Sequence, residues 1–75
     1  MMTLDELEIG KSGVIMAVNG EGALRRRLLD IGLVEGTRVE CLQRSPAGDP
    51  IAYLIRGAVI ALRTEDSSRI LVEYC

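Results

Sequence analysis

The sequence predicts a mainly β chain, a small five-stranded barrel with short helical inserts. Segments near 12–18, 37–44, 51–56, 58–63 and 70–74 are rich in Val, Ile and Leu and are bounded by glycine, proline and polar residues. No βαβ rhythm separates them, so a parallel sheet is not indicated. Nearly half of the residues are apolar, with two tyrosines and no Phe or Trp, so the core must be Leu, Ile and Val. Closing a barrel removes exposed strand edges, which suits so aliphatic a chain.

Thr3-Leu4-Asp5-Glu6 has the spacing of a capping box, in which the Glu6 carboxylate reaches back to Thr3. A helical turn over about residues 4–7 follows, with Leu4 and Leu7 on one face to plug an end of the core. Val14, Met16 and Val18 then alternate with Ile15 and Ala17, so both faces of that strand are apolar and it should be deeply buried. Asn19 to Gly22 is a turn, and Asn19 is a candidate cap for the helix after it.

The stretch 24–37, LRRRLLDIGLVEGT, organises the chain. Leu24, Leu28 and Ile31 fall at i, i+4 and i+7 on one helical face. Gly32 can end the helix in the left-handed conformation, with Leu33 folding back onto Leu28. Gly36 offers a second positive-φ position, so Val34 to Thr37 reads as a turn into the next strand. Glu21–Arg25 and Arg26–Asp30 are i,i+4 pairs that support the helix weakly.

Ser45 to Asp49 and Pro50 form a loop between strands, with Gly48 and Pro50 as its punctuation. IAYLIRGAVIALR is a hairpin with Arg56-Gly57 at its tip, pairing Ile55 with Ala58, Leu54 with Val59, Tyr53 with Ile60 and Ile51 with Leu62. One face carries Ile51, Tyr53, Ile55, Ile60 and Leu62, which is core material. The other carries Ala52, Leu54, Val59 and Ala61, where a one-sided sheet would show polar groups. Asp66-Ser67-Ser68 favours a turn or single helical turn, and ILVEY is the last strand.

Seventy-five residues allow one domain, 1–75, which hides only about 60 % of the surface of its unfolded form. A net charge of −2 with interspersed signs argues against nucleic acid or an anionic membrane as the partner. No apolar run approaches the roughly 20 residues of a membrane span, so no direct membrane insertion is expected. Cys41 and Cys75 match neither a disulfide framework nor a zinc pattern.

Residues 26–40, RRLLDIGLVEGTRVE, and 45–63, SPAGDPIAYLIRGAVIALR, resemble the FeoA family, ferrous iron transport protein A. TLDELEIGKSGVI at the start and ILVE near the end match as well, so the resemblance covers nearly the whole chain. It implies an SH3-like barrel, cytoplasmic, acting with an FeoB-type membrane transporter that bears a cytosolic guanine-nucleotide-binding domain, in bacterial iron(II) uptake. A similar domain occurs in metal-dependent repressors of the diphtheria-toxin-repressor type, but the chain shows no DNA-binding portion. Two departures stand out: Glu35 where the family often has proline, and Ala52 and Leu54 where the outer hairpin face is commonly polar.

Metal ligation is the reading that the resemblance invites, yet the chain has no histidine, and Asp5, Glu6 and Glu8 are explained by helix dipole and solvation. No cofactor is expected, and iron(II) is expected to be handled by the transporter. With no histidine base and no phosphate-cradling loop, the chain reads as a non-enzyme. The partner-binding candidates are Arg25 and Arg26, for an acidic surface, and Ala52, Leu54, Val59 and Ala61. The bland readings are a solvated helix face for the arginines and a hairpin face covered by the helix or the N-terminal turn. Gly32, Gly36, Gly48, Pro50 and Gly57 are read as turn and cap residues. The alternatives are a free-standing SH3-like interaction or self-assembling module, a homo-oligomer in its second form, and a metal-sensing domain.

Overall fold

The computed structural model describes residues 1–75. Its elements in chain order are β1 (Met2–Thr3), a 3-10 turn (Leu4–Glu6), β2 (Ser12–Val18), α1 (Gly22–Asp30), β3 (Arg38–Arg44), β4 (Ile51–Ile55), β5 (Ala58–Leu62), α2 (Thr64–Ser67) and β6 (Ile70–Tyr74). The strands form one antiparallel sheet in the order β1-β6-β2-β3-β4-β5. Two features differ from the five-stranded closed barrel. Met2 and Thr3 add a sixth strand by pairing with Val72 and Leu71, a contact across the length of the chain that no local pattern announces. The ladder also stays open, with β1 and β5 as its edges.

All but two of the fourteen buried apolar residues are Leu, Ile or Val, the exceptions being Cys41 and Tyr53. Leu4 and Leu7 do plug the core and are fully buried. They are held there by donors from two strands: the Tyr53 hydroxyl gives a hydrogen bond to the Leu4 carbonyl at 3.2 Å, and Arg44 gives others to the carbonyls of Asp5 (2.7 Å) and Leu7 (3.2 Å). The Glu6 carboxylate accepts from the Thr3 amide and hydroxyl, both at 2.9 Å. β2 is less buried than its composition suggests. A bulge between Ile15 and Ala17 leaves Met16 unpaired and 38 % exposed, while Ile15 and Val18 stay in the core.

α1 starts at Gly22, two residues earlier than the Leu24 periodicity indicates, and Asn19 does not cap it; the residue at the cap is Glu21, with no side-chain bond. The end matches the expectation. The Leu33 amide donates to the Leu28 carbonyl (3.1 Å) and the Gly32 amide to the Leu29 carbonyl (3.0 Å), the two bonds of a Schellman cap. Gly32 has φ +102°, and Leu28 and Leu33 are both fully buried. The Thr37 amide then donates to the Val34 carbonyl at 3.1 Å, closing the turn around Gly36. Neither expected i,i+4 ion pair on the helix closes; instead Arg27 reaches Asp66 at 2.8 Å and ties α1 to α2. α2 begins before Asp66 because Asp49, from the proline loop, accepts from the Thr64 amide at 2.9 Å and caps it.

Candidate functional site

β4 and β5 pair in one register without interruption, Ile51–Leu62, Ala52–Ala61, Tyr53–Ile60, Leu54–Val59 and Ile55–Ala58. Both residues of the two-residue loop have positive φ, Arg56 at +52° and Gly57 at +80°, which is the turn whose twist suits paired strands. This register brings Ala52, Leu54, Val59 and Ala61 to one face, as the sequence predicts. The helix does not cover that face. Val59 is 68 % exposed and Ala61 is exposed, while Ala52 and Leu54 are half-buried. On the inner face Ile60 is only half-buried, unlike Tyr53 opposite it, because β5 lies at the edge of the sheet.

Beside this face lies the main groove of the molecule, about 720 Å³, between the start of β3 and the hairpin tip. Leu54 is its apolar side chain, since that of Val39 is turned into the core, and Glu35, Arg38, Glu40 and Arg56 supply two charges of each sign. These four side chains were not among the sequence candidates. A signal for them exists: Arg38 and Glu40 share the outward phase of a strand whose Val39 and Cys41 face the core, and Glu40 pairs with Leu54. Glu35, one of the two departures from the family pattern, lies on the groove rim.

Arg25 and Arg26 are exposed, as expected, but line a different and smaller depression with Gly22, Leu29 and Asp30. The candidates therefore fall on two surfaces. Arg27, their neighbour, is committed to Asp66. Of the turn residues, Gly32, Gly36, Gly48 and Gly57 all have positive φ, and Pro50 follows a cis peptide bond.

No three His, Cys, Asp or Glu side chains converge on a point that could hold a metal ion. Of the acids near the N-terminus only Glu6 is engaged by a side chain or amide, and its Thr3 hydrogen bonds hold its carboxyl below the ordinary range. Burial pushes the Cys41 thiol up, away from the reactive thiolate, and pushes the Tyr53 hydroxyl up to about 12. The geometry offers surface: an uncovered aliphatic face beside a groove of mixed charge.

Residues 2–74 match the FeoA domain family. The chain belongs to that family. It is 40 % identical over 72 residues to a Porphyromonas gingivalis Fe(2+) transport protein A/Fe(2+) transporter FeoB fusion protein, covering 96 % of this chain and 8 % of the fusion. The chain thus spans under a tenth of the curated relative it matches. Among solved structures it resembles the FeoA protein of Chlorobium tepidum, at 37 % identity and a TM-score of 0.90, over 97 % of this chain and 70 % of that one. It also resembles zinc-complexed FeoA of Stenotrophomonas maltophilia, described as a procaryotic SH3 domain protein, at 31 % identity and a TM-score of 0.84, over 97 % and 91 % of the two chains. The SH3-like fold expected from the sequence is therefore the fold observed, with its sheet left open. No helix of the FeoA domain is long and apolar enough to cross a membrane.

Proposed function

We propose that this FeoA domain is a cytoplasmic accessory protein of bacterial ferrous iron uptake, which binds the cytoplasmic part of an FeoB-type transporter and modulates it without catalysis. The observation that carries the reading is the Porphyromonas gingivalis relative, in which a segment 40 % identical to this chain is joined covalently to the transporter. A covalent link raises the effective concentration of two modules that work together. Iron(II) is the cargo of the transporter in this reading, and the domain itself uses no cofactor.

The docking surface is the outer hairpin face. Leu54 and Val59 form its apolar centre, Ala52 and Ala61 flank them, and the groove charges at Glu35, Arg38, Glu40 and Arg56 form a polar border. An apolar centre with a charged rim is the anatomy of a specific protein contact. Arg25 and Arg26, on their separate surface, steer the encounter with acidic groups near the transporter's guanine-nucleotide-binding domain.

Titration of the protein against its cognate full-length transporter in detergent tests the reading. Binding is expected, with Leu54→Lys weakening it at least tenfold and the Arg25→Glu, Arg26→Glu double variant slowing association and flattening its salt dependence. Absence of binding, with iron uptake unchanged in a deletion strain, overturns it.

A further inference from the structure

β5 is an open sheet edge. It pairs with β4 and with nothing else. In a two-residue hairpin the residues flanking the loop, Ile55 and Ala58, exchange hydrogen bonds, and pairs then alternate along the ladder. Tyr53–Ile60 and Ile51–Leu62 are therefore bonded pairs, whereas Leu54–Val59 and Ala52–Ala61 are not. It follows that the amides and carbonyls of Val59 and Ala61 point away from β4, to the outside. Neither residue takes part in any backbone hydrogen bond outside the ladders and helices. Natural edges are usually blunted with charge or proline; Ala58 to Leu62 contains neither.

Alongside this edge runs a groove of about 430 Å³, walled by Arg27 of α1 and Ile31 just after it, by Ile60 and Leu62 of β5, and by Glu65 and Asp66 of α2. Its cations are already matched. Arg27 holds Asp66 at 2.8 Å, and Arg63 lies 3.8 Å from Asp49. Glu65 is the one charge of the groove with no ion-pair partner.

We infer that the β5 edge is completed by an extended segment of the transporter's cytoplasmic part, adding as a further antiparallel or parallel strand. This rests on the docking reading above and specifies how the contact is made. Such a strand bonds to the outward groups of Val59 and Ala61, and the ladder gives affinity while side-chain fit gives specificity. Its residue opposite Ile60 faces Ile31 and Leu62 and is aliphatic, and a lysine or arginine at the end beside Glu65 completes the charge balance.

Amide exchange tests this, trapped while the protein is bound to the full-length transporter and read by NMR after release. Val59 and Ala61 amides are expected to exchange at least tenfold more slowly in the complex, with the Ile60 amide, bonded to β4, serving as the internal control. If the complex forms and both amides exchange at their free rates, the edge assignment is overturned while docking stands. If no complex forms, both readings fall. Protection that grows with protein concentration alone assigns the edge to a second copy and overturns the transporter strand. Ala61→Pro removes one outward donor that has no bond in the free protein and should weaken binding tenfold; unchanged affinity in a variant with unchanged thermal unfolding also overturns the inference.

Discussion

Gly32 and Gly13 are both required, for opposite reasons, and substitution separates them. Gly32 sits at φ +102°, where an L side chain is strained, yet an added Cβ would meet only Arg56 Cδ at 3.6 Å and Ile55 Cγ2 at 3.7 Å. Those are ordinary contacts, so Gly32→Ala carries a torsional penalty alone, about 1–2 kcal/mol. Gly13 is not in the left-handed region, but its Cβ would lie 2.9 Å from the Glu73 backbone oxygen, so β6 itself must move. That is a steric cost of about 1–3 kcal/mol. A chain of this size has a total stability of roughly 4–11 kcal/mol, so either loss is readily measured. Urea unfolding followed by circular dichroism is the assay, with thermal midpoints expected to fall by about 4–8 °C per kcal/mol. Asparagine tolerates positive φ better than alanine, so Gly32→Asn should recover part of the Gly32→Ala loss, whereas Gly13→Asn should be worse than Gly13→Ala. A Gly32→Ala protein within about 0.5 kcal/mol of wild type, or an asparagine variant less stable than the alanine one, would refute the torsional account of the helix cap.

Three further outcomes are expected. Tyr53→Phe removes the bond to the Leu4 carbonyl and should cost about 1 kcal/mol at neutral pH. Because the folded Tyr53 hydroxyl is raised from 10.0 to about 12, its contribution is intact below 10 and is lost as pH climbs toward 12. The phenylalanine variant should therefore lose stability less steeply across that window, and an identical alkaline slope would contradict the burial. Asp49→Ala leaves the Thr64 amide without its cap and should cost about 0.5–2 kcal/mol by urea unfolding, while Asp49→Asn, which keeps an acceptor, should cost less. Cys75 is exposed and Cys41 is buried with a raised thiol, so a thiol reagent should titrate one group rapidly and the second only on unfolding; two fast equivalents would mean that β3 opens readily.

The parts legible in the sequence are those fixed by neighbours. The helix end depends on Leu28, Gly32 and Leu33, which are within six residues of one another, and the hairpin register depends on a two-residue loop. The parts not legible depend on residues far apart in sequence. β1 exists because Met2 meets Val72, α2 is capped by Asp49 from fifteen positions away, and Arg27 chooses Asp66, 39 positions away, over the acids of its own helix region. The aliphatic outer face was readable as a list of residues, but its exposure was not, since that depends on where α1 packs. The groove charges are not legible, because Arg38 and Glu40 resemble any solvated strand positions until Leu54 is paired beside them.

The two bulges give the domain a defined tolerance to changes in chain length. At Met16 in β2 and Leu42 in β3, one strand holds a residue more than its partner requires, and the inward order of Ile15 and Val18, or of Cys41 and Arg44's neighbours in the ladder, is kept across the surplus. Removing Met16 or Leu42 would restore plain alternation without turning any core side chain outward. β4 and β5 hold no such reserve: one residue lost from β4 would swap Tyr53 and Leu54 between the two faces, and one lost from β5 would swap Val59 and Ile60. Single-residue gaps among relatives of this domain should accordingly gather at the bulged positions and avoid the hairpin.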